Sequence, residues 1–330
     1  MQDVSVLPLW RCLERRGGPD LYVTEYFRVH RDSVPEKTIL NSIHGMSDRK
    51  PVIAQMIGND PEHLVRTAKQ IEAESGCVGI DVNLGCPAPK VCGKQAGGAL
   101  LRYRDLIRRI AYDLRNAVKG SLTLKTRIGF ESAEEFDALL DLFRELPIDG
   151  LAIHGRTVRE KYQSPVHPDC IAQAVRELPY SVTANGNIVS VATARAMQEQ
   201  TGAAGLMIGR GGIRNPWLFE QIRTNSKVMP RLREVAEYIS ELTEEMQSEG
   251  DFPSEAALVN RMKKFTNYIT LGLFGNELNA KLRRATSLFE FQSICREYLE
   301  SDEEFPEEPI DDGKLFCGFK ELKNLSVSSA

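Results

Sequence analysis

The chain has no apolar run approaching the roughly 20 residues that span a bilayer. Met1–Leu9 lacks the basic segment followed by an apolar one that marks a secretory signal. The seven cysteines, at 12, 77, 86, 92, 170, 295 and 317, contain no CxxC pair and no Cys/His cluster with zinc spacing. His30, His44, His63 and His167 fall on loops or helix starts with no partner pattern, so no metal site is expected. No GxGxxG follows an early strand, which weighs against a dinucleotide fold, and no solenoid repeat occurs. These absences lead us to expect a cytoplasmic protein with reduced thiols, free of membrane and metal, and monomeric.

An excess of positive charge is also lacking: the 330 residues sum to −4. The distribution qualifies this. Residues 300–312 hold eight acids and no base, so removing them takes the rest from −4 to +4. A mildly basic body with an acidic, proline-containing tail is compatible with an RNA ligand without demanding one.

From Leu21 to about Arg223, short apolar runs alternate with helix-period segments. Strands are predicted at Leu21–Tyr26, Val52–Ile57, Val78–Asn83, Leu122–Arg127, Gly150–His154, Tyr180–Ala184 and Ala204–Ile208. Near-continuous apolar runs suit strands buried on both faces of a parallel sheet. Asp60-Pro61 opens one helix, and Ser132 with Glu135 reads as a capping box for another. Such alternation fits a doubly wound sheet or a (β/α)8 TIM barrel. Glu25, Gln55, Asn83, Lys125, His154, Asn185 and Arg210 all sit at or just after strand C-termini, as a barrel with its site on one face requires. The barrel is therefore predicted, with its first strand missing or truncated, since seven strands are counted and Val6–Arg16 reads as a helix. Beyond Arg223, Pro230–Gln247, Ser254–Leu271, Glu277–Ala285 and Leu288–Leu299 read as a small helical bundle. The expected division is a catalytic barrel over 1–226, a helical domain over 227–300 and an acidic, flexible tail over 301–330.

Asp81-Val-Asn-Leu-Gly-Cys-Pro-Ala-Pro-Lys90 carries the densest signal. A strand ends at Asn83, Gly85 permits a sharp turn, and Pro87 delays helix formation, presenting Cys86 at the barrel mouth. A thiol there can act as nucleophile or proton donor; a cysteine after a strand can equally be a small core residue. The other cysteines default to packing. Asn185-Gly186-Asn187 and Gly209-Arg210-Gly211-Gly212 end the last two strands, where glycine turns form anion nests. Lys125 and His154 point the same way as Cys86, and a cation there suits an anionic reduced flavin. Gln55 could hydrogen-bond the polar edge of the same ring.

Together, Thr24-Glu25-Tyr26-Phe27-Arg28-Val29, Asn83-Leu-Gly-Cys-Pro, Lys125 in LKTRIG, His154-Gly-Arg-Thr, Ala184-Asn-Gly and Met207-Ile-Gly-Arg-Gly resemble the tRNA-dihydrouridine synthases, from Met1 to about Glu300. That resemblance implies FMN reduced by NADPH (or NADH), hydride from flavin N5 to C6 of a tRNA uracil, and a proton from Cys86 to C5. Asn83 matches a residue holding the uridine. Gln55, Lys125, Asn185, Gly186, Asn187, Gly209 and Arg210 match flavin and phosphate contacts, and Met1 stands at a flavin-contacting methionine. The base must leave its stack, so the protein has to grip the folded tRNA. Arg261, Lys263, Lys264, Lys281, Arg283 and Arg284, with Tyr268 among them, supply basic and stacking groups for that grip. Arg28, Arg261, Lys263, Tyr268 and Arg284 match the tRNA-orienting signature of the synthase C branch, which acts on position 16, and Tyr162 matches a further tRNA contact. The rival readings are a free-pyrimidine flavin dehydrogenase of the dihydroorotate type and a catalytically silent tRNA-binding protein.

Overall fold

The computed structural model describes residues 4–250, 252–311 and 315–324. The chain enters through α1 (Leu7–Glu14), two short strands β1 (Tyr22–Val23) and β2 (Phe27–Arg28), and α2 (Lys37–His44). Regular βα alternation follows: β3 (Val52–Ile57), α3 (Pro61–Glu74), β4 (Gly79–Asn83), α4 (Pro89–Cys92), α5 (Arg104–Arg115), β5 (Ser121–Arg127), α6 (Phe136–Glu145) and β6 (Gly150–His154). It continues through α7 (Pro168–Glu177), β7 (Ser181–Asn185), α8 (Val191–Thr201), β8 (Gly205–Met207), α9 (Arg210–Arg214) and α10 (Leu218–Thr224). Strand ends fall within a residue or so of those predicted, because turn residues and capping groups bracket each apolar run. Asp60 accepts from the His63 amide to cap α3, and Ser132 and Glu135 form the expected reciprocal box.

All strand pairings are parallel, in the order β1-β3-β4-β5-β6-β7-β8, with β2 also on β3. Tyr22 pairs with Val52 and Phe27 with Met56, so β1 and β2 are halves of one strand position. The predicted strand Leu21–Tyr26 is broken because the Thr24 and Glu25 side chains have other work. Thr24 Oγ1 accepts from the Gln55 amide at 3.0 Å, and Glu25 Oε1 accepts from the Val4 and Ser5 amides at 2.8 and 3.1 Å. Among the described residues no pairing joins β8 to β1, so the described part of the barrel-type sheet is open on one side, where the first strand was expected to be missing or truncated.

Side chains alternate across each strand. On β5, Leu122 and Leu124 are buried against the surrounding helices, whereas Thr123, Lys125 and Arg127 face the interior cavity. The polar half of that alternation builds the site.

α11 (Leu232–Glu249), α12 (Glu255–Ile269), α13 (Glu277–Arg284) and α14 (Leu288–Leu299) form the expected helical part around Tyr238, Leu242, Phe265, Leu282 and Phe291. The tail departs from expectation. Its described residues run back over the barrel, burying Phe305, Phe316, Phe319 and Leu322, and end in α15 (Phe319–Asn324) against α8. Burying each such side chain contributes about 1.5–3 kcal/mol, which outweighs the acidity that suggested a loose appendage.

Candidate active site

The inward-facing residues at the C-terminal strand ends line a cavity of about 1130 Å³. Gln55, Asn83, Cys86, Lys125, His154, Tyr162, Asn185, Gly186, Asn187, Gly209 and Arg210 all border it. Register explains the assembly: Asn83 lies beside Lys125, and Arg127 beside His154, which lies beside Asn185.

A directional chain of hydrogen bonds leads from the barrel floor to the cysteine. Thr123 Oγ1 donates to Asp81 Oδ1 at 2.7 Å, and Gln55 Nε2 donates to Asp81 Oδ2 at 2.9 Å. Asn83 Nδ2 then donates to Gln55 Oε1 at 2.8 Å. That leaves Asn83 Oδ1 to accept from the amides of Gly85 and Cys86 at 3.0 and 2.9 Å. This side-chain turn bends the loop, not a left-handed Gly85: the strained conformation is at Gly97, φ +59, whose absent Cβ would lie 3.0 Å from Cys86 Cβ. Arg127 Nε donates to the Gly85 carbonyl at 2.8 Å, and the Gly98 amide donates to the Cys86 carbonyl at 3.0 Å. Cys86 is half-buried on this braced loop beside the cavity. The Tyr26 hydroxyl hydrogen-bonds its thiol; burial first, then the cysteine, pushes that phenol up to about 12.

Electrostatics divide the walls. Lys125 Nζ donates to Asn185 Oδ1 at 3.1 Å, and Asn185 Nδ2 to the Met207 carbonyl at 2.7 Å. Burial, followed by Arg127, lowers Lys125 to about 8, with Asp81 opposing the shift. Burial raises Asp81 to about 7 against its hydrogen bonds from Thr123 and Gln55. His154 falls well below its ordinary range through burial and then the charges of Arg127, Lys125, Arg156 and Arg210, so it is a neutral polar group at physiological pH. Lys125 is the cation of the pair. Tyr162 lies 5.1 and 5.0 Å from the Arg127 and Arg210 guanidinium carbons and edge-on to His154.

Three buried nitrogens here have no partner in the structure: His154 Nδ1, Arg156 Nη1 and Asn187 Nδ2. Arg156 Nη2 donates to Asn187 Oδ1 at 3.0 Å, and Gly186 and Asn187 carry φ of +131 and +57. Unsatisfied donors, a positive-φ turn and the half-buried Arg210, with the buried Arg156 behind them, are the chemistry that an anion needs. The five-residue α9 adds little beyond presenting Arg210.

Of the expected RNA residues, Asn83 and Tyr162 border the cavity, whereas Arg28, Arg261, Lys263, Tyr268 and Arg284 do not. Arg28 is exposed over the Tyr26 ring and 3.9 Å from Glu36. Arg261 and Lys263 are half-buried on α12, and Arg284 is exposed at the end of α13. Tyr268 is half-buried, edge-on to Phe316. Met1 lies outside the described residues. The sequence reading missed Tyr26, Asp81, Arg127 and Arg156. Inward alternation with Asn83 and Lys125 was the available signal for Asp81 and Arg127. No motif pointed to Phe316 and Cys317, which also border the cavity. Among the described residues no cluster of His, Cys, Asp or Glu could hold a metal, and all seven cysteines are free.

The family model described as Dihydrouridine synthase (Dus) matches residues 1–303. The chain belongs to the dihydrouridine synthase family. It is 37% identical over 241 residues to tRNA-dihydrouridine synthase B of Pseudomonas putida, covering 70% of each chain. It is 40% identical over 182 residues to synthase B of Vibrio cholerae, covering 54% of this chain and 56% of the relative. These dihydrouridine synthases carry the B name, and give no support to the synthase C branch. Among solved structures, histamine dehydrogenase from Rhizobium sp. 4-9 aligns with TM-score 0.54 at 12% identity, over 91% of this chain and 61% of that one. An old yellow enzyme homologue from Zymomonas mobilis aligns with TM-score 0.50 at 11% identity, over 70% and 87%. At such identities these two bear on the fold alone.

Proposed function

We propose that the chain reduces the C5=C6 bond of a tRNA uridine, with FMN as its cofactor, NADPH (or NADH) as the reductant, and Cys86 as the acid. The observation carrying this reading is Cys86 on a braced loop over a cavity that also holds Asn83, Lys125 and donors suited to an anion. The residues fit a flavin mononucleotide: the unpartnered donors of Arg156 and Asn187, with Arg210, would hold the phosphate. Gln55, Lys125, His154 and Asn185 would face the ring, and bound FMN would supply the hydride for C6.

Asn83, oriented through Gln55 and Asp81, would hold the uracil beside Cys86 Sγ, which gives its proton to C5. The same Asn83 carbonyl fixes the Cys86 backbone, so substrate placement and acid placement share one group. The Tyr26 hydroxyl beside the thiol would hold it in position for that transfer. Lys125 would supply the positive charge that a reduced ring needs. Arg261, Lys263, Tyr268, Arg284 and Arg28 would grip the tRNA, with Tyr162 at the mouth. Position 16 rests on these side chains alone.

The test is mass-spectrometric mapping of dihydrouridine in tRNA from a strain lacking this gene, with complementation by the wild type and by Cys86→Ala. Restored dihydrouridine with the wild type only is expected, and its position decides the site. Complementation by both would sink the acid assignment. The silent-binder reading draws on the open sheet; protein that stays colourless with FMN would support it.

A further inference from the structure

We propose that Leu315–Leu322 is a built-in competitor for RNA, a strap that covers the mouth of the site and must leave before tRNA docks. This rests on the tRNA reading above. The family match ends at residue 303, so the strap lies beyond what the family shares. Phe316, Cys317 and Phe319 border the same cavity as Cys86. The strap is anchored on the cations assigned above to the flavin phosphate, at the rim where RNA would enter: Arg156 Nη2 donates to the Cys317 carbonyl at 3.0 Å, and Arg210 Nη1 donates to the Leu315 carbonyl. It also covers an aromatic assigned to RNA, since Phe316 packs edge-on to Tyr268, 6.4 Å between centroids, and lies 5.7 Å from the Arg210 guanidinium carbon.

The strap's two phenylalanines are held apart from the main core, which Leu322 alone of its buried apolar side chains joins. Phe316 and Phe319 form a small cluster with Val189 and Leu271, distinct from the main core. Further ties among the described residues run from Gln200 Nε2 to the Leu322 carbonyl at 2.6 Å, from the Gly318 amide to Asp311 Oδ1 at 3.0 Å and from Cys317 Sγ to the Gln163 carbonyl at 3.4 Å. Gly318 has φ +70, and a Cβ there would lie 3.1 Å from Pro165 Cα, so only glycine lets the strap lie this close. The segment leading to it is acidic, with Glu304, Glu307, Glu308 and Asp311. A docked acidic segment repels RNA phosphates while Phe316 covers Tyr268.

The experiment compares the full chain, a chain ending at Asp311 and full-length Gly318→Val for binding of an unmodified tRNA transcript by fluorescence anisotropy. If the docked state holds about nine tenths of the molecules, both variants bind about tenfold tighter. A synthetic peptide of residues 311–324 added to the shortened chain then weakens binding again. Equal or weaker tRNA binding by both variants overturns the proposal, as does loss of bound flavin in the shortened chain, which would make the segment a wall of the cofactor site. Should the shortened chain fail to fold, Gly318→Val and Phe316→Ala decide the matter by the same criterion. Dihydrouridine formation is read in parallel. Its absence from every chain, full-length included, refutes the enzymatic reading and leaves the binding comparison to judge the strap.

Discussion

At the scale of single residues, the site depends on the direction of a few hydrogen bonds. Asp81 accepts at both oxygens, which aims the Gln55 carbonyl at Asn83 and the Asn83 carbonyl at the Cys86 amide. Asp81→Ala removes the acceptor that holds the Gln55 amide, so Gln55 is free to turn and Asn83 loses its fixed acceptor. We expect dihydrouridine formation to fall by about tenfold to a hundredfold with the fold intact, a misplacement effect; unchanged steady-state kinetics would show that the relay does not orient the loop. Cys86→Ala should leave flavin reduction by NADPH intact and cut product formation by about 10²–10⁴, the range of a lost general acid. Lys125 gives a pH prediction of definite sign. Its pKa of about 8 lies below the ordinary 10.5, so its charge disappears as pH rises through 8, and turnover should fall on that limb. Stability moves the other way: the unfolded chain binds this proton more tightly, so Lys125 makes the fold more stable as pH rises from 8 to 10.5. Lys125→Arg, which keeps its charge, should lose the alkaline limb in a pH–rate profile.

At the scale of elements, six of the seven predicted strands were readable to within a residue or so at each end, from apolar runs bounded by turn and cap residues. The seventh was not. Leu21–Tyr26 has strand composition throughout, but Thr24 and Glu25 bond to the Gln55, Val4 and Ser5 amides, tertiary partners that local propensity cannot see. The cysteine loop was legible in its residue types and misread in its geometry, because a side-chain turn from Asn83 and a strained Gly97 do what Gly85 was expected to do. Two predictions belong here. Glu25→Ala strips two amides of their acceptor and should cost about 1–3 kcal/mol in denaturant unfolding. Gly97→Ala forces a left-handed alanine against Cys86, and should cost about 1–2 kcal/mol in denaturant unfolding.

At the scale of the whole molecule, composition misled at the tail. Eight acids in residues 300–312 suggested a solvated segment, yet Phe305, Phe316, Phe319 and Leu322 bury themselves against the barrel. Arg214 shows how such a return is held. Its guanidinium is buried beneath Phe305, 4.2 Å from the ring, and donates to the Pro306 and Glu307 carbonyls. Burial lowers it to about 9, with Glu308 opposing. No sequence pattern announces a buried arginine whose partners are carbonyls some 90 residues away.

The gap between β1 and β8 carries a mechanical consequence. A complete hoop resists deformation all the way round, whereas a hoop cut at one place yields at the cut. Among the described residues, strand ends there have paired neighbours on one side only, so their amides should exchange with deuterium sooner than those of Gly79–Asn83 or Ser121–Arg127. A ligand touching both lips, Tyr22–Thr24 on one and Gly205–Ile208 on the other, would act as a clasp and slow that exchange.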